Sequence, residues 1–160
     1  LYKFLFLFYF MVNLNLPPIH KSHEKELEKI AKASKIESHG LETIDEQLNV
    51  FNEIAYPTQI SLLMQQLNEL ETSLGDFQDM EAAYNKQDLD ALCEISNDEM
   101  MKMLHDELLV QRNLNWIPKM MALMKKKSVF FAVGAAHLCR EDGLIELLTK
   151  KGYRVEGIEL

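Results

Sequence analysis

Three side chains in this sequence have the type and the setting to do chemistry: His137, Glu42 and Arg112. His137 closes Gly134-Ala135-Ala136-His137, directly after the apolar run Val129 to Val133. A neutral imidazole nitrogen suits a divalent transition metal, and Gly134 with its two alanines leaves room for a metal or substrate to approach the backbone. Glu42 lies between Gly40 and a helix start, where its carboxylate can ligate a metal or act as general base on a metal-bound water. Arg112, supported by Asn113 and Trp116, can bind a carboxylate or a developing oxyanion. Each also has a plainer reading. A histidine after a buried strand is commonly a satisfied structural residue. Glu42 is an acid favoured by a helix dipole, and Arg112 can form a salt bridge, with Glu42 or at the surface. Cys139 can be a soft ligand beside His137 or a small buried thiol, and with Cys93, the other cysteine, it permits a disulfide. His105, Asp106 and Glu107 lack the spacing of two ligands one helical turn apart and read as surface residues.

These side chains need elements to hold them. Val129 to Val133 has the length and composition of a strand buried on both faces. The loop bearing His137 follows, then a short helix opened by Asp142 and Gly143 and stopped by Gly152, then a closing strand from Tyr153 to Leu160. Upstream, helical signals dominate. Ser22 caps a helix to about Ser34 with Leu27, Ile30 and Ala31 inward, and Thr43 with Glu46 forms a capping box. Pro57 breaks that second helix. Thr58 starts a longer one whose stripe of Ile60, Leu63, Met64, Leu67, Leu70 and Leu74 reads as core, ended by Gly75. Asp76 begins another, Asp88 caps a short one, and Asn97 or Asp98 caps the next, with Met100, Met103, Leu104, Leu108 and Leu109 inward. Pro118 predicts a kink or fresh start between Asn113 and Trp116. Met120, Met121, Leu123 and Met124 then read as core filling rather than an adaptable groove. The fold class expected is α/β (α+β): several helices around a small mixed sheet.

Composition narrows the function classes. At 160 residues the chain can bury a core. Its net charge of −8 argues against nucleic acid, which calls for a basic face. Lys125, Lys126 and Lys127 read as lysines complementing a helix C-terminus. The opening apolar run, residues 1–12, is too short to cross a bilayer, which takes about 20 residues. It resembles a signal core without a cleavage site, or the remnant of a longer segment. The expected organisation is an apolar remnant or signal-like segment over residues 1–18, then a single domain over 19–160, with membrane association through the apolar start.

Four blocks carry a family resemblance. Gly40-Leu-Glu-Thr-Ile-Asp-Glu-Gln-Leu48, Gln87-Asp-Leu-Asp-Ala-Leu92, Arg112-Asn113 with Trp116, Pro118 and Lys119, and the Gly134-to-His137 stretch with its following helix and strand occur in family order. Together they resemble the TraB/GumN family, which includes TIKI-like metalloproteases and pheromone-shutdown proteins. The resemblance implies metal-dependent peptide hydrolysis with Mn, Co or Zn. It implies His137 and Glu42 as metal ligands and Glu42 and Arg112 as catalytic, with Gly134, Asn113 and Trp116 in support. Three departures stand out. Gln111 replaces the usual acid before the Arg-Asn pair, Gln87 stands where a glycine is usual, and residues 1–39 hold no first Gly-x-x-His motif. The chain is therefore expected to be the C-terminal part of the family domain, a poor metal binder and inactive alone unless two copies of His137 meet in a dimer. The alternative is a non-catalytic module that binds a peptide or haem. Family members are often exported or membrane-associated, so the same location is expected here.

Overall fold

The computed structural model describes residues 21–68, 70–95, 102 and 104–158. The apolar segment at the start of the chain and the caps expected at Asn97 or Asp98 lie outside them. Two compact units divide between Leu63 and Met64.

In the first unit the short-range signals act as expected. Helix α1 (His23–Ala33) is capped by Ser22, whose side chain accepts from the Lys25 amide. It buries no residue: Leu27 and Ala31 are half-buried and Ile30 is exposed. Helix α2 (Ile44–Glu53) has the complete capping box, with the Thr43 amide donating to Glu46 Oε2 at 2.7 Å and the Glu46 amide to Thr43 Oγ1 at 3.1 Å. Such a box satisfies two of the amides that every helix start leaves without a partner. Helix α3 (Tyr56–Asn68) carries Pro57 in its first turn, where no amide hydrogen is needed. Gln59 is 7 % exposed and its Nε2 donates to the carbonyls of Phe51 and Ile54, satisfying the end of α2. The stripe read as core is partly exposed, with Ile60, Met64 and Leu67 near half, while Leu62 takes the buried position at 2 %.

The second unit begins within α3, at Met64, and continues with α4 (Leu70–Asn85), α5 (Leu89–Ile95), a π-helical segment (Asp106–Val110), α6 (Gln111–Met124), a 3₁₀ turn (Ala135–Leu138) and α7 (Leu144–Lys150). Gly75 ends nothing; α4 runs through it. Asp88 caps α5 by accepting from the Ala91 amide at 3.0 Å. The buried apolar side chains among the described residues of this unit are Ala83, Leu92, Leu104, Leu109, Trp116, Ile117, Met120, Cys139 and Leu144.

The expectation of a mixed sheet is overturned: the described residues are all-helical, with no strand. The run from Val129 to Gly134 has strand composition, but a strand exists only when a neighbour supplies the ladder of N–H and C=O partners. This run has none among the described residues, nor does Tyr153 to Ile158. Nor is it buried on two faces. Val129, Phe131 and Val133 are half-buried while Phe130 is 79 % exposed.

Candidate functional site

Helix α6 positions three of the six candidate residues. Arg112 is half-buried in its first turn, and Asn113 and Trp116 point inward with Ile117 and Met120. The break expected near Pro118 falls earlier, in the π-helical turn of Asp106–Val110, where the Gln111 amide reaches the Asp106 carbonyl. One extra residue in a turn rotates everything after it. Pro118 lies within α6 on the exposed side, so the carbonyl it leaves without a helical donor belongs to exposed Leu114.

The 3₁₀ turn presents His137 to this helix. The His137 amide donates to the Gly134 carbonyl at 3.0 Å, closing the turn, and the side chain is 6 % exposed. Its Nδ1 lies 2.7 Å from Asn113 Oδ1. Asn113 is 1 % exposed, and its Nδ2 donates to the carbonyls of Asp142 at 2.9 Å and His137 at 3.4 Å. Two carbonyls can only accept, so the amide is oriented with Oδ1 toward the imidazole. Nδ1 must therefore carry the proton, and in the neutral ring Nε2 holds the lone pair. Trp116 packs against the imidazole, ring centres 4.4 Å apart and tilted by 41°. Arg112 lies over the other ring system of this stack, 4.9 Å from the Trp116 centroid, and Nη1 donates to the Leu108 carbonyl at 3.0 Å. The order Arg112, Trp116, His137, Asn113 is thus one contiguous cluster.

Three further groups lock the turn, and none was singled out from sequence for this role. Asp142 does not cap α7. Its carboxylate meets His105 Nε2 at 2.8 Å while its carbonyl holds Asn113, so His105 belongs to the network rather than to the open surface. Gly143 is the N-cap of α7, and a Cβ there would collide with the carbonyls of Cys139 and Leu138. Only glycine lets the helix start so close under the His turn. Cys139 is bonded to Cys93, with Cα atoms 5.5 Å apart, which ties the turn to α5 and removes the thiol as a metal ligand.

Gly134, by contrast, has an ordinary backbone, and a Cβ there would rest 3.8 Å from the His137 ring. Glu42 stands in the other unit, half-buried just ahead of the Thr43 cap. A Cβ on Gly40 would approach the Glu42 carbonyl to 2.6 Å, so glycine there allows the chain to double back before α2.

The family model described as TraB/PrgY/gumN family matches residues 10–157, a span that contains all four blocks. The chain belongs to the TraB/PrgY/gumN family. No curated protein and no solved structure matches it.

In this TraB/PrgY/gumN member the Arg-Asn-Trp block and the Gly-Ala-Ala-His block meet side by side, since Asn113 and Trp116 both touch His137. Among the described residues no group of three or more His, Cys, Asp or Glu side chains is placed to hold an ion. A catalytic zinc commonly has three protein ligands and an open position, whereas this cluster contains a single histidine. What the cluster supplies is one histidine held in a single tautomer by a buried amide.

The signals for the missed groups were too short or too general to read. Asp142-Gly143 looks like any helix start, and two cysteines 46 positions apart do not announce a bond. His105 is 37 positions from its partner.

Proposed function

We propose that this chain contributes the histidine part of a peptide-hydrolysing site, with Nε2 of His137 as the working atom. The observation that carries this reading is the orientation of Asn113, whose Oδ1 accepts from Nδ1–H, holding the proton on Nδ1 and leaving Nε2 as the basic nitrogen. A base or ligand must be held in one tautomer to act repeatedly on the same atom, and a partner on the opposite ring nitrogen is the usual device. Arg112, braced on Trp116, is the anion-binding group in this reading. Glu42 enters only through the block it shares with the family.

The test is hydrolysis of a fluorogenic peptide in the presence of Mn²⁺ or Co²⁺ by an intact family protein that contains this chain, compared with its His137→Ala and Asn113→Ala variants. Loss of turnover in His137→Ala, with a drop of roughly 10–100-fold in Asn113→Ala, is the expected result. Equal turnover in all three removes the proposal. No turnover in any, together with a haem absorbance shift that disappears in His137→Ala, gives the site to a binding module.

A further inference from the structure

The run that leads into the His turn has backbone groups to spare. Residues 129–133 lie between α6 and the turn, and among the described residues their amides and carbonyls make no hydrogen bond. The run is neither helix nor turn, and no residue in it has a positive φ. Its exposure alternates: Val129, Phe131 and Val133 are half-buried, while Phe130, Ala132 and Gly134 are exposed. A period of two is that of an extended chain with one face on the protein. The N–H and C=O groups of such a chain stand in two rows, one along each edge, which water satisfies while no partner is present.

The chemistry of these rows selects the occupant. A helix has its own donors and acceptors already paired, and a metal or an anion would engage only one kind of group. Another extended backbone repeats donors and acceptors at the same interval, which is the basis of strand addition. Side chains narrow the choice further. Along the exposed face the residues go from Phe130, 79 % exposed, to Ala132 and then Gly134, so bulk falls away toward His137. Phe130 can pair with an aromatic or β-branched residue opposite it, and a glycine at the end of a strand is where another backbone can come close. The His137 amide donates to the Gly134 carbonyl at 3.0 Å, so a chain laid along the run is led to the turn that carries the imidazole. Lys125, Lys126 and Lys127, all exposed, stand immediately before the run. Charge flanking an open edge discourages pairing between like copies.

We propose that residues 129–133 bind an extended peptide by strand addition, with Phe130 as the side-chain anchor. Docking stands on the backbone of this run; that the docked peptide is a substrate rests on the reading of His137 above.

The probe is the capped peptide Ac-Lys-Thr-Val-Thr-Val-Thr-Lys-NH₂, titrated into the ¹⁵N-labelled chain. In the control peptide the amides of the central threonine and the valine after it are N-methylated, so that each edge loses a donor while side chains and charge are kept. Saturable binding of the parent peptide is expected, with the methylated one weaker by about tenfold or more. Amide hydrogen exchange should slow at alternate residues only, either Val129, Phe131 and Val133 or Phe130 and Ala132, since successive residues face opposite edges. Phe130→Ala, at an exposed position, should weaken binding by about two- to fivefold and leave thermal melting unchanged. Equal binding of the two peptides, slowed exchange at consecutive residues, or no binding of the parent peptide would overturn the proposal. So would alternate protection that grows with chain concentration before peptide is added, which would give the edge to a second copy. Docking is measured without turnover, so its failure leaves the role of His137 to the hydrolysis assay.

Discussion

Asn113 Oδ1 accepts a hydrogen bond from His137 Nδ1 at 2.7 Å, across 24 positions of sequence, while the same amide donates to two backbone carbonyls. One buried side chain thereby fixes the ring, the turn that carries it and the start of α7. Removing it takes a hydrogen-bond partner from three polar groups, two of the bonds being buried.

Asn113→Ala should therefore cost about 2–4 kcal/mol of stability, since each orphaned buried group carries a penalty of about 1–3 kcal/mol. Asn113→Asp should be no milder. It keeps an acceptor for Nδ1 but turns a buried carboxylate oxygen toward the carbonyls of His137 and Asp142. Denaturant unfolding measures the first effect. Ring ¹⁵N shifts of His137 measure the second: a single Nδ1–H tautomer in the native chain and a mixture in Asn113→Ala. A mixture already present in the native chain would mean that the amide does not set the tautomer.

The Cys93–Cys139 bond closes a loop of 46 positions and ends two residues past His137. On loop entropy alone a closure of this length contributes about 3–4 kcal/mol. The Cys93→Ser/Cys139→Ser variant should lose stability of that order, read from the shift in the denaturation midpoint. Amide hydrogen exchange at Ala135 to Cys139 should rise more than at α6, because the bond anchors the turn directly and the helix only through the contacts of Asn113 and Trp116 with His137. Uniform loosening of both would place the effect in the unfolded chain alone.

Gln87 lies in the left-handed region at φ 59°, in the turn that joins α4 to α5. Its amide donates to the Tyr84 carbonyl, and the Asp88 amide reaches back to Ala83, so the turn holds this backbone whatever the side chain. A residue with a Cβ pays about 1–2 kcal/mol there, offset in part by the greater freedom glycine has when unfolded. Gln87→Gly should raise stability by about 0.5–1 kcal/mol, whereas Gln87→Val should lower it. Thermal melting of the two variants in opposite directions is the check.

That glycine is the residue usual at this place in the family, so the departure noted in the sequence has a conformational meaning that the sequence did not disclose. Other signals needed no tertiary context. Ser22, the pair Thr43 and Glu46, Asp88 and Gly152 act on backbone groups within a few residues of themselves, and each is found where its chemistry points. The four family blocks were legible for a similar reason, being short strings in fixed order.

Contacts between distant positions follow a different rule. The sheet expected from two strand-like runs does not form among the described residues, because composition favours an extended backbone but cannot provide the neighbour whose amides and carbonyls complete a ladder. His105, whose spacing from Asp106 and Glu107 suits no pair of ligands and reads as surface, pairs with Asp142, 37 positions away. The π-helical turn at Asp106–Val110, the Cys93–Cys139 bond and the seating of Gly143 under the His turn likewise depend on where the helices pack. Local chain chemistry chose the caps, the turns and the candidate residues. Packing alone decided that Asn113, Trp116 and His137 would meet, since only a folded interior makes an unpaired amide or imidazole costly enough to select its partner.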